Sequence, residues 1–270
     1  MSLLQAIILG VVQGLTEFLP VSSSGHLVLG EFLLKIKLND ISFEVFLHFG
    51  TLLAVIVYFR QTIRAMFKAV WSKIKIPGIK NNSVSGEKDW LLFWMIIIGS
   101  IPAGILGVLF KDLIEESFSS VIFVSFMLLF TGLVLFLTRF FHAAKEKLSF
   151  LDALIVGFAQ AIAILPGVSR SGLTISTGIF RRVEPGKAAE FSFLLSLPAV
   201  LGASILKLKD VLNHSDAGLD LKIYLFGAFT AFVVGYLAIK FLLKIIKKGK
   251  FQYFGYYCFA VGFLFLIFNL

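Results

Sequence analysis

Two short polar stretches interrupt apolar sequence, PVSSSGH at residues 20–26 and PGVSRSG at residues 166–172. The first brings three serines, a glycine and a histidine together one residue after a proline. Serines at such a position are typical helix N-caps. The backbone N–H groups of a helix start also bind anions, phosphate above all. The first stretch therefore predicts a capped helix start, which could in addition be a phosphate site.

Arg170 is the strongest single indication of chemistry, because it lies between two serines in an otherwise apolar region. An arginine at membrane depth needs an anionic partner. Its planar guanidinium also binds phosphate with two parallel hydrogen bonds. Two interpretations stay open, a phosphate clamp or a structural ion pair with Glu17 or Glu190. Thr174, one helical turn further on, is predicted to add a hydroxyl ligand.

Gln13 and Glu17 are four residues apart and therefore share one face of a helix. An ionisable side chain in an apolar helix that runs into the bilayer is by default functional. Glu17 is predicted to bind a divalent cation or to act as a base, with a structural carboxylate bonded to nearby serines as the alternative. His26 adjoins the hydroxyls and is predicted to act in catalysis. The candidate substrate-binding residues are Gln13, Ser22, Ser24, Gly25, Ser169, Ser171 and Thr174.

Three further side chains are predicted to be auxiliary. Glu44 and His48 form a second pair four residues apart and are expected to line an outward mouth. Glu190 is expected to orient Arg170.

The composition indicates an integral membrane protein. Of 270 residues, 58% are hydrophobic and 15% are charged, whereas soluble domains are about 45–50% apolar and about 25% charged. The apolar runs are continuous rather than alternating, which favours a helical bundle over a barrel. The single cysteine, Cys258, excludes an internal disulfide and a cysteine metal cluster. We attribute the net charge of +9 to the positive-inside bias and not to nucleic acid.

Six apolar runs are long enough to cross about 30 Å of hydrocarbon. Residues 3–34 and 150–180 are instead broken by the two polar stretches, which predicts two re-entrant helix pairs. The N-terminal stretch lacks a basic n-region, so no cleaved signal peptide is predicted. The six predicted spans are 41–60, 89–110, 119–138, 187–206, 222–246 and 251–269.

If each broken segment returns to the side of the membrane from which it entered, most Lys and Arg residues lie on one side. Because cytoplasmic loops carry the excess of Lys and Arg, that side is the cytoplasm, and both termini are predicted to face outside. Residues 1–138 and 150–270 then form two repeats of a single membrane domain. Each repeat has three full spans, so the second is inverted, and the two polar stretches should face each other near the midplane. A shift of 147 residues aligns Gly10 with Gly157, Gln13 with Gln160, Ser22 with Ser169 and Ser24 with Ser171.

The stretches QGLTEFLPVSSSGH and LPGVSRSGLT, with FEVFLHFGTLLAV and AAEFSFLL, closely resemble the bacterial undecaprenyl-diphosphate phosphatase family, also called bacitracin resistance protein. The resemblance covers essentially the whole chain. It implies an all-α polytopic enzyme of the inner membrane that removes the terminal phosphate of undecaprenyl diphosphate with help from a divalent cation, Mg²⁺ or Ca²⁺. The product would be the carrier lipid of peptidoglycan synthesis, and the activity would confer bacitracin resistance.

The resemblance also implies roles for individual residues. Ser23, His26 and Arg170 match the family's proposed catalytic positions, and Gln13 with Glu17 matches its acidic, metal-binding motif. Either Ser23, activated by His26, attacks the phosphate, or His26 attacks or serves as acid and base. A homodimer stays open.

Two rival functions follow from the same features. Inverted repeats with re-entrant segments are also transporter architecture, so a polyprenyl-phosphate flippase is the alternative function. The acid-phosphatase-like membrane superfamily also combines SGH with an SR motif, but it needs a histidine soon after the arginine. The next histidine after Arg170 is His214, in a predicted outer loop, so this rival is rejected.

Overall fold

The structure is a computed structural model in which the described residues form helices joined by short turns. Those residues are 1–27, 41–75, 84–118, 120–213 and 221–269. A helix satisfies its own backbone hydrogen bonds, which is why continuous apolar runs in a bilayer become helices.

The helices are numbered along the chain. In the first half lie α1 (Leu3–Phe18), α2 (Ile41–Tyr58), α3 (Arg60–Lys75), α4 (Val84–Leu109), α5 (Lys111–Ser117) and α6 (Val121–Leu137). In the second half lie α7 (Phe150–Ile162), α8 (Arg170–Phe180), α9 (Pro185–Asn213), α10 (Leu221–Lys247) and α11 (Tyr253–Asn269).

Four stretches of these helices are long and apolar enough to cross a membrane, and they coincide with four predicted spans. They are residues 86–109, 121–140, 185–205 and 221–247. The run predicted over 41–60 is α2, which ends at a 75° bend before α3 and adds a fifth candidate if the pair is one span. The last run is α11, which is apolar but has only 17 residues. Within its described part, the chain is thus an all-α polytopic membrane protein with four or five candidate spans.

Both segments predicted to be broken are broken in the structure. The first leaves α1 after Phe18 and becomes helical again at residues 23–27, and the rest of that predicted pair lies outside the described residues. The second leaves α7 after Ile162 and resumes as α8. Ser22 at φ 71° and Gly167 at φ 89° bend the two turns. A Cβ at Gly167 would collide with the Val124 carbonyl, so only glycine fits there.

The helices pack crosswise between the two halves of the chain. Helix α1 lies on α10, helix α7 lies on α4, and α6 lies on α11. Small residues allow the first two contacts, because a Cβ at Gly10 would lie 2.6 Å from the Gly227 carbonyl and one at Gly157 would collide with Gly99. The first helix of each half therefore finds its packing partner in the other half.

An aromatic cluster supports the end of α1, where the first turn begins. The rings of Phe18 and Phe193 pack edge to face with centroids 5.7 Å apart, and Phe59 lies 6.0 Å from Phe193. On the other side, the buried Cys258 thiol donates to the Pro20 carbonyl at 3.5 Å. The first turn is thus held by side chains from α9 and α11.

Candidate active site

The two polar turns meet, as their sequences predict. Ser171 Oγ in the second turn donates to the Leu19 carbonyl at 3.3 Å, and the Gly167 N–H lies 3.5 Å from Ser24 Oγ. The Thr131 hydroxyl of α6 holds the second turn by accepting from the Ser169 N–H at 3.1 Å. The polar groups therefore collect at one place, although they are far apart in sequence.

Two of the serines in these turns are helix caps. Ser22 Oγ accepts from the Gly25 N–H at 3.3 Å, and Ser169 Oγ accepts from the Gly172 N–H at 3.0 Å. These hydroxyls satisfy backbone donors that have no partner within their own helix. Among the serines of the first turn, Ser23 instead donates its hydroxyl to a side chain, Glu17.

Glu17 and Arg170 form an ion pair that joins the two turns. Arg170 Nη2 donates to Glu17 Oε1 at 2.7 Å, and the two side chains are only 16% and 8% exposed. Arg170 Nη1 is buried and has no hydrogen-bond partner among the described residues. The structural ion pair is thus present with Glu17, and the phosphate clamp stays a prediction, for which Nη1 is left as a donor.

Glu17 also accepts a hydrogen bond from a candidate nucleophile. Ser23 Oγ donates to Glu17 Oε2 at 2.8 Å, and Gln13 Nε2 donates to the same oxygen at 3.1 Å. A carboxylate at this distance can take the hydroxyl proton as the oxygen attacks. The predicted Glu17–serine contact is therefore present, and it suits a base as well as a structural role.

His26 uses both ring nitrogens away from Ser23. Nδ1–H donates to the Ser22 carbonyl at 2.8 Å, which fixes the tautomer, and Nε2 accepts from the Tyr257 hydroxyl at 2.7 Å. The two rings also stack with centroids 5.7 Å apart. The Ser23 hydroxyl therefore has Glu17, and not His26, as its hydrogen-bond partner in the described structure.

His48, predicted to line an outward mouth, lies beside Gln13 and Glu17 at the polar turns. Its Nδ1 is 3.1 Å from Gln13 Nε2 and 3.8 Å from Glu17 Oε2. Glu44 is half-buried one turn earlier on the same helix. His48 therefore belongs to the polar network around Glu17.

The chain is similar in sequence to proteins of known family. A family model described as "Bacitracin resistance protein BacA" matches residues 6–264. The chain belongs to this family. Among its curated relatives, an "Undecaprenyl-diphosphatase" from Desulforapulum autotrophicum is 44% identical over 275 residues, covering 99% of this chain and 98% of the relative. Another from Carboxydothermus hydrogenoformans is 42% identical over 272 residues, covering 99% and 97%.

Two expectations about individual residues are wrong. Glu190 does not orient Arg170, because its carboxylate accepts from Lys187 Nζ, three residues earlier, at 2.8 Å. Thr174 is fully buried and bonds inside the fold, with the Arg170 carbonyl at 2.7 Å and Ser192 Oγ at 2.6 Å. The Thr174 hydroxyl therefore fastens α8 to α9 and does not face a ligand.

The residues at the site could hold a divalent cation whose remaining ligands are phosphate oxygens of the substrate. No group of three or more His, Cys, Asp and Glu side chains that could hold a metal occurs in the part of the chain that the structure describes. Gln13 Oε1, however, is a buried oxygen with no hydrogen-bond partner there, on the side chain that bonds Glu17. Mg²⁺ is usually held by one or two carboxylates together with substrate phosphates. By that pattern, the Glu17 carboxylate and Gln13 Oε1 are sufficient as protein ligands.

Tyr257 and Thr131 are site residues that the sequence did not single out. Each is an ordinary residue of an apolar helix, and Tyr257 is 231 residues from the histidine that it contacts. Polarity alone does not distinguish Thr131, whose hydroxyl lies 3.2 Å from the Gly167 carbonyl, from other buried threonines.

Tyr257→Phe is expected to lower turnover about fivefold and to change its pH dependence. The substitution keeps the stacked ring but removes the hydroxyl that donates to His26 Nε2, and one hydrogen bond of this kind contributes about 1 kcal/mol. The measurement is a pH profile of the rate for both proteins. Tyr256→Phe, an exposed neighbour on the same helix, is the control. Identical profiles for all three proteins would contradict the role of Tyr257.

Proposed function

We propose that this chain hydrolyses undecaprenyl diphosphate to undecaprenyl phosphate and inorganic phosphate in the bacterial inner membrane. The observation that carries the proposal is the cluster of Ser23, Glu17 and Arg170 where the two turns meet. It combines a half-buried hydroxyl, a buried carboxylate that can act as a base, and a largely buried guanidinium. The names of the relatives supply the substrate.

A diphosphate suits this cluster because its charge is concentrated on the terminal phosphate. The free Arg170 Nη1 can donate to a phosphoryl oxygen while Nη2 stays on Glu17. The helix starts after Ser22 and Ser169 add positive dipole ends and backbone donors. Phosphoryl transfer depends mainly on such positioning and charge stabilisation.

In the proposed reaction, Ser23 Oγ attacks the terminal phosphorus as Glu17 Oε2 takes its proton. The bond between that phosphorus and the bridging oxygen breaks, and undecaprenyl phosphate leaves. Water then attacks the phosphoserine and gives a proton to His26, while Glu17 returns its proton to the departing Ser23 oxygen, so that inorganic phosphate and the serine are released. His26 can exchange a proton only at Nε2, since Nδ1–H is held by the Ser22 carbonyl.

Glu17 and Gln13 would hold a divalent cation, Mg²⁺ or Ca²⁺, which supplies further neutralisation of the diphosphate oxygens when bound. His48, which lies 3.1 Å from Gln13, would keep the Gln13 amide in place beside Glu17.

The proposed architecture has six spans and two re-entrant pairs, residues 3–34 and 150–180, with both termini outside. It consists of two inverted repeats, 1–138 and 150–270. The crosswise packing supports this arrangement, since α1 on α10 and α7 on α4 are matching contacts between the halves. The meeting of the two polar turns supports a site where the repeats face each other.

Purified protein in detergent is expected to release phosphate from undecaprenyl diphosphate. Glu17→Gln is expected to lower the rate at least about hundredfold, because it removes the negative charge and the base while keeping the shape. Glu190→Gln, which removes a carboxylate paired with Lys187, is the control. A titration with Mg²⁺ separates two roles for Glu17, because rescue at high Mg²⁺ indicates a ligand and no rescue indicates a base. A wild-type protein that released no phosphate would overturn the proposed function in favour of the flippase.

A further inference from the structure

Helix α3 leaves the direction of the helix before it. It begins at Arg60 after a 75° bend at the end of α2, and it lies on α4. If α2 crosses the bilayer, a helix at this angle to it runs nearly parallel to the membrane surface. The bend therefore raises the question of what the outer side of α3 contacts.

One face of α3 packs on the protein, and the opposite face does not. Met66 and Ala69 are only 5% and 6% exposed, and Met66 belongs to the main apolar core. Phe67 and Trp71, by contrast, are 60% and 61% exposed. Two large rings side by side on a hydrated surface are unfavourable, because apolar area is costly to expose to water. The outer face thus suits a partner that offers some apolar surface.

Cations share the outer face with these rings. Arg64 and Lys68 are exposed, and they lie on the same side of the helix as Phe67 and Trp71, since residues three, four and seven apart are neighbours there. Residues 60–75 contain five Lys and Arg residues and no Asp or Glu. The partner that this face fits is therefore anionic as well as partly apolar.

All three tryptophans of the chain belong to α3 or to the start of α4. The rings of Trp90 and Trp94 pack edge to face with centroids 5.6 Å apart, and Lys73 Nζ of α3 lies 4.8 Å from the centroid of the Trp90 ring. Tryptophan is enriched where hydrocarbon meets the lipid headgroups, because its ring is apolar and its indole N–H is polar. The position of the tryptophans indicates that α3 lies at this boundary.

We propose that α3 is an interfacial helix whose outer face binds the headgroups of anionic phospholipids. Arg64 and Lys68 contact the phosphates, while Phe67 and Trp71 insert beside the upper part of the acyl chains. An amphipathic helix that combines cations with aromatic rings lies in the plane of the headgroups, and each cation near an anionic lipid surface adds to the affinity. The inference goes beyond the proposed function and does not rest on it, because none of these residues belongs to the two polar turns.

A titration of the detergent-solubilised protein with dioctanoyl phosphatidylglycerol tests the role of charge. The lipid should raise the unfolding temperature as it binds, and it should do so at lower concentration than dioctanoyl phosphatidylcholine. In the double variant Arg64→Gln with Lys68→Gln, the apparent Kd for phosphatidylglycerol should rise about thirtyfold, the effect of two cations at a charged lipid surface. The Kd for phosphatidylcholine should stay unchanged.

Lys244→Gln with Lys247→Gln is the matched control, because both lysines are exposed in the last turn of α10 and the same charge is removed. The Kd for phosphatidylglycerol should then stay within about a factor of two. An equal rise in both double variants would assign the binding to the net charge of the protein and overturn the site on α3. A wild-type protein that did not prefer phosphatidylglycerol would overturn it as well.

The depth of Trp71 is a second test, which keeps both cations in place. Trp90→Phe with Trp94→Phe leaves Trp71 as the only indole, and its fluorescence is measured in phosphatidylglycerol bilayers that contain brominated lipid. Bromines on the upper part of the acyl chains should quench it more than bromines near the chain ends. Equal or stronger quenching by the deep bromines would place α3 in the hydrocarbon, and no quenching would place Trp71 against water, a second copy of the chain or another protein. Either result would overturn the proposal.

Discussion

Ser23→Ala is expected to lower phosphate release by about four orders of magnitude or more, because it removes the attacking oxygen. The hydroxyl is half-buried and donates to Glu17 at 2.8 Å, so alanine fits without loss of packing. The measurement is steady-state phosphate release, together with acid quenching of wild-type protein to trap a phosphoserine. The variant should form no such intermediate.

Ser24→Ala is the control for Ser23, since it removes a hydroxyl from the same turn. Ser24 Oγ lies 3.3 Å from Ser22 Oγ and 3.5 Å from the Gly167 N–H. We expect a loss of no more than about tenfold, the cost of one neutral hydrogen bond. Near-normal turnover by Ser23→Ala would rule out Ser23 as the nucleophile and leave attack by His26, which His26→Ala would then test.

Arg170→Ala is expected to lower the rate by about 10³-fold or more, the usual effect of removing an arginine that stabilises a transferring phosphoryl group. It also leaves the Glu17 carboxylate buried without its ion-pair partner, which destabilises the fold by about 3–5 kcal/mol. Rates should therefore be compared on protein whose thermal unfolding has been measured. Arg170→Lys should recover stability better than rate, because lysine keeps the charge but not the second nitrogen.

Lys187→Ala provides the comparison for Arg170. Lys187 is also an ion-paired cation of the second half, but its partner is the 26% exposed Glu190 instead of Glu17. Its loss should leave the rate within about a factor of two, as for other exposed pairs. If Arg170→Ala hydrolysed at the wild-type rate, the assignment of the active site to the two turns would be wrong.

The sequence predicted the site best where polar residues stand in apolar surroundings. Glu17 and Arg170 were both predicted from the energetic cost of charge in a bilayer, and the structure pairs them at 2.7 Å. Partners were harder to predict, because sequence spacing shows which residues share a helix face but not which helix lies opposite. Thr174 for this reason bonds Ser192 rather than a ligand.

The helices were also predicted best where a local sequence pattern was sufficient. The runs over α4, α6, α9 and α10 were predicted because long apolar stretches need no tertiary information. The bend after α2 was not predicted, since the apolar run simply ends where the polar face of α3 begins. Tyr257 was missed because nothing local separates it from the other tyrosines of α11.

The contact of α1 with α10 has a consequence for how the protein is made. Helix α1 is synthesised well before α10, and the surface that receives Gly10 and Gly14 belongs to residues 227–235. At about 5–20 residues per second, a ribosome needs at least about ten seconds to reach them. During that time the face of α1 that carries Gly10 and Gly14 cannot pack on its final partner. We therefore expect the first helix to enter the assembled bundle late in biogenesis, when the last third of the chain has been inserted.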